Sequence, residues 1–235
     1  MSAAPSPAGS EPVPFTPMVP GQRSLLRLML RPMLTAWLRL SAEGTEHVPE
    51  TGACLIASTH RSHADSLALA TAIRRPVHFL GDQELTAWPV MGPQLPRLGM
   101  IPLRRGEADA SAMDILSILL DDGACLAVYP EGSRSRDGKV HRLRSGVARL
   151  AARHEVPVVP AAVLGIDQRW PIGQRPRVTG PPVTVRFGPA MDPPDGTPRS
   201  RRAFNDALQA TLAELSESEV ADDFSPFHGG EAAGG

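Results

Sequence analysis

The stretch ACLIASTHRSHADSLALATAI, residues 53–73, decides how the chain is built. Residues 53–58 form an apolar run of strand length, and residues 66–73 carry helical spacing. Only the polar turn THRSHAD (59–65) separates them. Outward from this unit the same alternation repeats. Apolar runs recur at 77–80, 99–103, 124–129, 156–164 and 182–187, and helical patterns lie at 110–120, 145–154 and 200–215. Strands alternating with helices predict a single α/β domain with a mostly parallel central sheet flanked by helices. In such sheets reactive groups collect in the loops just beyond the carboxyl ends of the strands. The turn at 59–65 is such a loop, as are Arg104-Arg105-Gly106 and Glu131-Gly132-Ser133-Arg134.

Three readings of the turn compete. His60, His63 and Asp65 offer three metal ligands, although neither the HxHxDH spacing of binuclear zinc hydrolases nor an HExxH helix is present. Asp65 stands directly before a helical pattern, where a carboxylate serves as an N-cap. A histidine with an aspartate five residues on, wrapped around a strand-to-helix turn, also suits an imidazole–carboxylate pair that leaves one ring nitrogen as a base. No GxSxG element accompanies the pair. A base without a protein nucleophile implies that the nucleophile belongs to the substrate, for example a hydroxyl. Guanidinium groups suit phosphate, and Arg105, Arg134 and Arg144 stand beside Gly106, Gly132 and Gly146, whose backbone can approach an anion.

Composition narrows the setting. A chain of 235 residues, 42% hydrophobic and 21% charged, has an ordinary globular make-up, and its net charge of -1 draws it neither to nucleic acid nor to anionic lipid as a whole. Any electrostatic partner must meet a local patch. Cys54 and Cys125 each sit inside an apolar run and read as reduced core thiols in a cytoplasmic setting. Residues 1–20, rich in proline and small side chains, read as a disordered lead, and residues 218–235 as a disordered tail. Between lead and domain lies RSLLRLMLRPMLTAWLRL (23–40). On a helical wheel Leu26, Leu30, Met33, Trp37 and Leu40 share one face, with Arg23, Arg27 and Arg31 on another. Pro32 bends or restarts such a helix. The segment is too short and too charged to span a bilayer. It fits helices lying in the membrane interface over 21–40, or a cap on the core.

Taken together, the motifs resemble a known family. THRSHAD (59–65) resembles the HX4D block of the 1-acylglycerol-3-phosphate acyltransferases, the lysophospholipid acyltransferases. GMIPLRRG (99–106) is similar to their second block, YPEGSRS (129–135) to their FPEGTRS block, LRSG (143–146) to FKxG, and VPVVPAAV (156–163) to the proline-containing fourth block. Thr59, Tyr129, Ser133 and Arg144 depart mildly from the pattern. Pro102-Leu103 departs more, in a block that shapes the pocket. The resemblance implies an acyltransferase domain over 41–217, with His60 as general base and Asp65 orienting it. It implies that Arg105 and Arg134, with Arg144, grip the acceptor phosphate, that Gly132 and Ser133 also bind substrate, and that Glu131 bonds the acceptor or braces the loop. Acyl-CoA or acyl carrier protein would be co-substrate, with no metal and no further cofactor. The acceptor would be a lysophospholipid, foremost 1-acyl-sn-glycerol-3-phosphate, and the location the cytoplasmic face of a membrane. Another lysophospholipid, a glycolipid or an amine as acceptor, or a non-catalytic phospholipid-binding role, remain the alternatives.

Overall fold

The computed structural model describes residues 20–88, 92–103 and 108–226. Residues 1–19 of the expected lead, and residues 227–235 at the other end, lie outside them. Seven strands form one sheet: β1 (Ser41–Glu43), β2 (Cys54–Ser58), β3 (Val77–Asp82), β4 (Met100–Leu103), β5 (Cys125–Val128), β6 (Val158–Leu164) and β7 (Thr184–Phe187), in the order β1-β7-β6-β2-β5-β3-β4. Every pairing is parallel except β6 with β7. Six helices accompany them among the described residues: α1 (Pro20–Leu38), α2 (Asp65–Ala72), α3 (Ala108–Asp121), α4 (Gly146–His154), the short α5 (Ile166–Arg169) and α6 (Pro198–Ser216).

β2 lies at the heart of the sheet, between β5 and β6, and all five of its residues are buried. Side chains along a strand alternate between faces. Accordingly Cys54 and Ile56 join a cluster with Leu38 of α1 and Ala68 and Leu69 of α2. Leu55 and Ala57 join the opposite cluster with Leu116 of α3, Val147 of α4 and Leu208 of α6. Both faces are covered, which is why the central strands read as unbroken apolar runs. Each fully buried leucine or isoleucine contributes about 1.5–3 kcal/mol. Cys54 and Cys125 face one another across the β2–β5 register as buried thiols.

Three features differ from the sequence-based expectation. β1 is a strand of three exposed residues with no apolar signal, formed only because it pairs with β7. α1 is one helix that passes through Pro32 rather than restarting there. Its wheel is rotated from the expected one: Leu34 and Leu38 are buried, Met33 is exposed, and Arg31 Nε donates to Thr71 O at 3.1 Å. Finally, residues 218–226 are not loose. Val140 N donates to Glu219 O and Ala221 N to Val140 O, both at 2.9 Å, so the ordered domain extends beyond residue 217 to 226.

Candidate active site

Because β2 and β5 run parallel and adjacent, the loops that follow them meet above the same edge of the sheet. The loop after β2 wraps its backbone around one carboxylate oxygen. Asp65 Oδ2 accepts from Arg61 N at 2.7 Å and Ser62 N at 2.9 Å, and pairs with His60 Nδ1 at 2.7 Å. The aspartate is therefore turned back into the loop, and Ala64 occupies the cap position of α2. The capping reading of Asp65 is replaced by an imidazole–carboxylate pair. A carboxylate accepts but does not donate, so Nδ1 carries the ring proton and Nε2 keeps its lone pair.

The ring is further fixed by stacking on Tyr129, with centroids 3.8 Å apart and planes 16° from parallel. The Tyr129 hydroxyl in turn bonds Ser66 Oγ at the start of α2. Burial, chiefly, holds the Tyr129 phenol well above its ordinary range, so it stays neutral and acts as a plate. For His60 burial is again the largest influence and pushes the ring below 6.5. Asp65 opposes this, while the Arg134 charge adds to it. The imidazole is thus neutral and basic near pH 7, with 17% of its side chain exposed. Among the described residues no three His, Cys, Asp or Glu side chains are grouped as ligands of one ion.

The loop after β5 is held from within. Glu131 is 1% exposed, and its Oε2 accepts from His141 N at 3.1 Å. Burial raises its carboxyl to about 7, against the lowering influence of the His141 and His60 backbone N–H groups and of the His141 and Arg61 charges. Here Glu131 braces the loop. Arg144 runs across Gly132: its backbone N donates to Pro130 O at 2.8 Å and its Nε to Glu131 O at 3.2 Å. Gly132 has φ +78, and a Cβ there would lie 2.6 Å from Arg144 Nε. Only glycine admits both the left-handed backbone and the crossing side chain. Ser133 Oγ donates to Ser225 Oγ at 2.8 Å. The two loops are stitched together by Ser135 N donating to His60 O at 2.8 Å and by Arg61 Nη2 donating to Gly138 O at 2.7 Å and to Ser218 Oγ. Beside this seam opens a cavity of about 330 Å³ lined by Arg61, Ser135, Arg136 and Asp167. Pro171 and Ile172 also line it, so the cavity has both charged and apolar walls.

Of the residues singled out in the sequence, His60, Asp65, Glu131, Gly132, Ser133, Arg134 and Arg144 come together here. Arg105 lies outside the described residues. β4, which precedes it, ends at Leu103 on the same sheet edge. His63 turns to a separate aromatic group, 6.0 Å from the Trp170 ring, which stacks on Trp88. Sequence reasoning missed the stacking role of Tyr129, the part of His141, and everything contributed from 218–226. The first has a signal, since Tyr129 stands in a motif with an aromatic at that place. The others have none.

Comparisons with known proteins point to one family. Residues 39–164 match the family model described as Acyltransferase. The chain is 30% identical over 135 residues to a chloroplastic 1-acyl-sn-glycerol-3-phosphate acyltransferase of Brassica napus, covering 56% of this chain and 39% of that protein. It is 28% identical over 190 residues to the 1-acyl-sn-glycerol-3-phosphate acyltransferase of Pseudomonas aeruginosa, covering 78% and 72%. The chain thus spans about two-fifths of the length of the plant relative. The crystal structure of the 1-acyl-sn-glycerophosphate acyltransferase of Thermotoga maritima superposes with a TM-score of 0.63 at 25% identity, covering 82% of this chain and 79% of that one. With the family model matched over more than half of this chain, the chain belongs to the acyltransferase family that includes the 1-acyl-sn-glycerol-3-phosphate acyltransferases.

Proposed function

We propose that this chain transfers a fatty acyl group from acyl-CoA or acyl carrier protein to the free hydroxyl of a lysophospholipid, foremost 1-acyl-sn-glycerol-3-phosphate, giving phosphatidic acid. The observation that carries the reading is the 2.7 Å bond between His60 Nδ1 and Asp65, which leaves Nε2 as the base. As the acceptor oxygen attacks the thioester carbonyl, its proton passes to Nε2. The tetrahedral intermediate then collapses, the C–S bond breaks, and the departing thiolate takes the proton back from the imidazolium. No acyl-enzyme is needed, and no cofactor beyond the acyl donor. Arg134 and Arg144, with Arg105, hold the acceptor phosphate against the Gly132-Ser133 backbone. The test is purified protein with labelled acyl-CoA and a panel of acceptors. Transfer to lysophosphatidate is the expected result. Thioester loss with no acceptor, or binding without turnover, would overturn it.

The same reading places the protein on the cytoplasmic face of a membrane, the side on which acyl-CoA and acyl carrier protein are found. No helix among the described residues is long and apolar enough to cross a bilayer. α1, however, is anchored to the core through Leu34 and Leu38 while Met29 and Met33 are 68% and 53% exposed. An anchored helix that leaves long apolar side chains outward suits interfacial docking. The variant Met29→Glu/Met33→Glu is expected to lose co-sedimentation with anionic liposomes while keeping its thermal midpoint. Unchanged sedimentation would refute the docking role.

A further inference from the structure

The segment 218–226 lies along the outside of the loop between β5 and α4. Besides the two bonds between Val140 and the strap, Arg142 N donates to Asp223 O at 2.9 Å. Gln209 Nε2 of α6 donates to both Val140 O and Ala221 O at 3.1 Å. His141 Nδ1 pairs with Asp223 Oδ1 at 3.0 Å while its backbone N–H serves Glu131. A segment tied at so many main-chain points is a fixed strap, not a lid. Its tip reaches two residues assigned above to the acceptor. Ser225 is 3% exposed and accepts from Ser133 Oγ, and the half-exposed Phe224 ring lies 5.6 Å from the Arg144 guanidinium and 5.4 Å from that of Arg142.

We propose that Phe224 and Ser225 are positioning residues for the acceptor site, the Phe224 ring holding the Arg144 guanidinium and Ser225, by accepting from the Ser133 hydroxyl, holding the Gly132-Ser133 backbone in the arrangement that grips an anionic acceptor. The inference rests on the acyl-transfer reading and extends it to residues outside every motif. Arg144 is fixed by the loop along its backbone and at Nε, and it crosses Gly132 through space a Cβ would fill. Beyond these, the Phe224 ring restrains the tilt of the guanidinium plane. A π-face against a guanidinium supplies that restraint, because attraction to the ring quadrupole depends on the ring and not on apolar volume. The acyl donor touches neither group in this scheme, so the strap affects one substrate and not the other.

The experiment measures KM and kcat for each substrate at saturation of the other, in wild type, Phe224→Ala, Phe224→Leu, Phe224→Trp and Ser225→Ala. Phe224→Ala and Phe224→Leu are expected to raise the KM for lysophosphatidate about three- to tenfold, with donor KM and kcat within about twofold. Ser225→Ala shifts the same constant in the same direction, and Phe224→Trp restores it. Phe224→Leu keeps apolar volume at a half-exposed position, so it separates a lost ring from a lost fold. If Phe224→Leu matches wild type, or if both KM values and kcat change together, the inference is overturned. Wild type that transfers acyl groups normally while the variants keep its acceptor KM overturns the strap alone. Wild type that transfers to no acceptor overturns the acyl-transfer reading and the strap with it.

Discussion

Replacing His60 by alanine is expected to lower acyl transfer by about 10²–10⁴-fold, whereas His63→Ala keeps a readily measured rate. The two histidines share one turn, but only His60 is bonded to Asp65 and stacked on Tyr129. His63 packs toward Trp170 instead. The pH profile carries the same assignment. Burial pushes the His60 ring below 6.5, so the acid limb of kcat/KM should have its midpoint below 6.5. Asp65 acts on the ring in the opposite direction, so Asp65→Asn should move that acid limb further down while also reducing the rate, since the amide no longer specifies the tautomer. Labelled acyl-CoA turnover from pH 4.5 to 8 checks all three variants. A dead His63→Ala beside an active His60→Ala would reverse the mechanism.

Glu131 is expected to make the fold less stable as pH rises, by an amount comparable with a core mutation. Its carboxyl sits at about 7 against an ordinary value of 4.5. Between those two pH values the folded chain keeps this proton and the unfolded chain has released it, so stability from this group is full below 4.5 and is lost as pH rises through about 7. The gap corresponds to about 3 kcal/mol. Glu131→Gln retains an oxygen to accept from His141 N and carries no charge to desolvate. Urea unfolding at pH 5 and pH 8 should therefore show the wild type losing about 2–3 kcal/mol more than the variant over that interval. Equal losses would mean that Glu131 ionises freely in the folded protein. Such a cost is retained at the centre of the loop where Glu131 also fixes His141, the residue that reaches the strap.

The central strands were legible because β2, β5 and β6 are covered on both faces and so are written as plain apolar runs. The His60–Asp65 pair was legible for a local reason: a short turn between strand and helix brings residues five apart within hydrogen-bond reach. What resisted reading is non-local. β1 is exposed along its length and owes its existence to a partner strand more than 140 residues away. A helical wheel gives the period of α1 but not the face the sheet will claim, so Arg31, expected on a polar stripe, instead reaches the backbone of α2. The polar run SEVADDFSP at 218–226 has no periodicity of its own. Its order comes from lending hydrogen bonds to a loop that the motifs alone describe.

Ser133 and Ser225 stand 92 residues apart in the chain. A ribosome adding roughly 5–20 residues per second leaves about 5–18 seconds between making the loop and making the segment that pins it. During that interval residues 59–65 and 129–144 are already made, yet the chain lacks the partner that Ser133 Oγ donates to. Translation itself thus sets the order of supply, the residues of the His60–Asp65 pair first and the strap that ties the neighbouring loop last.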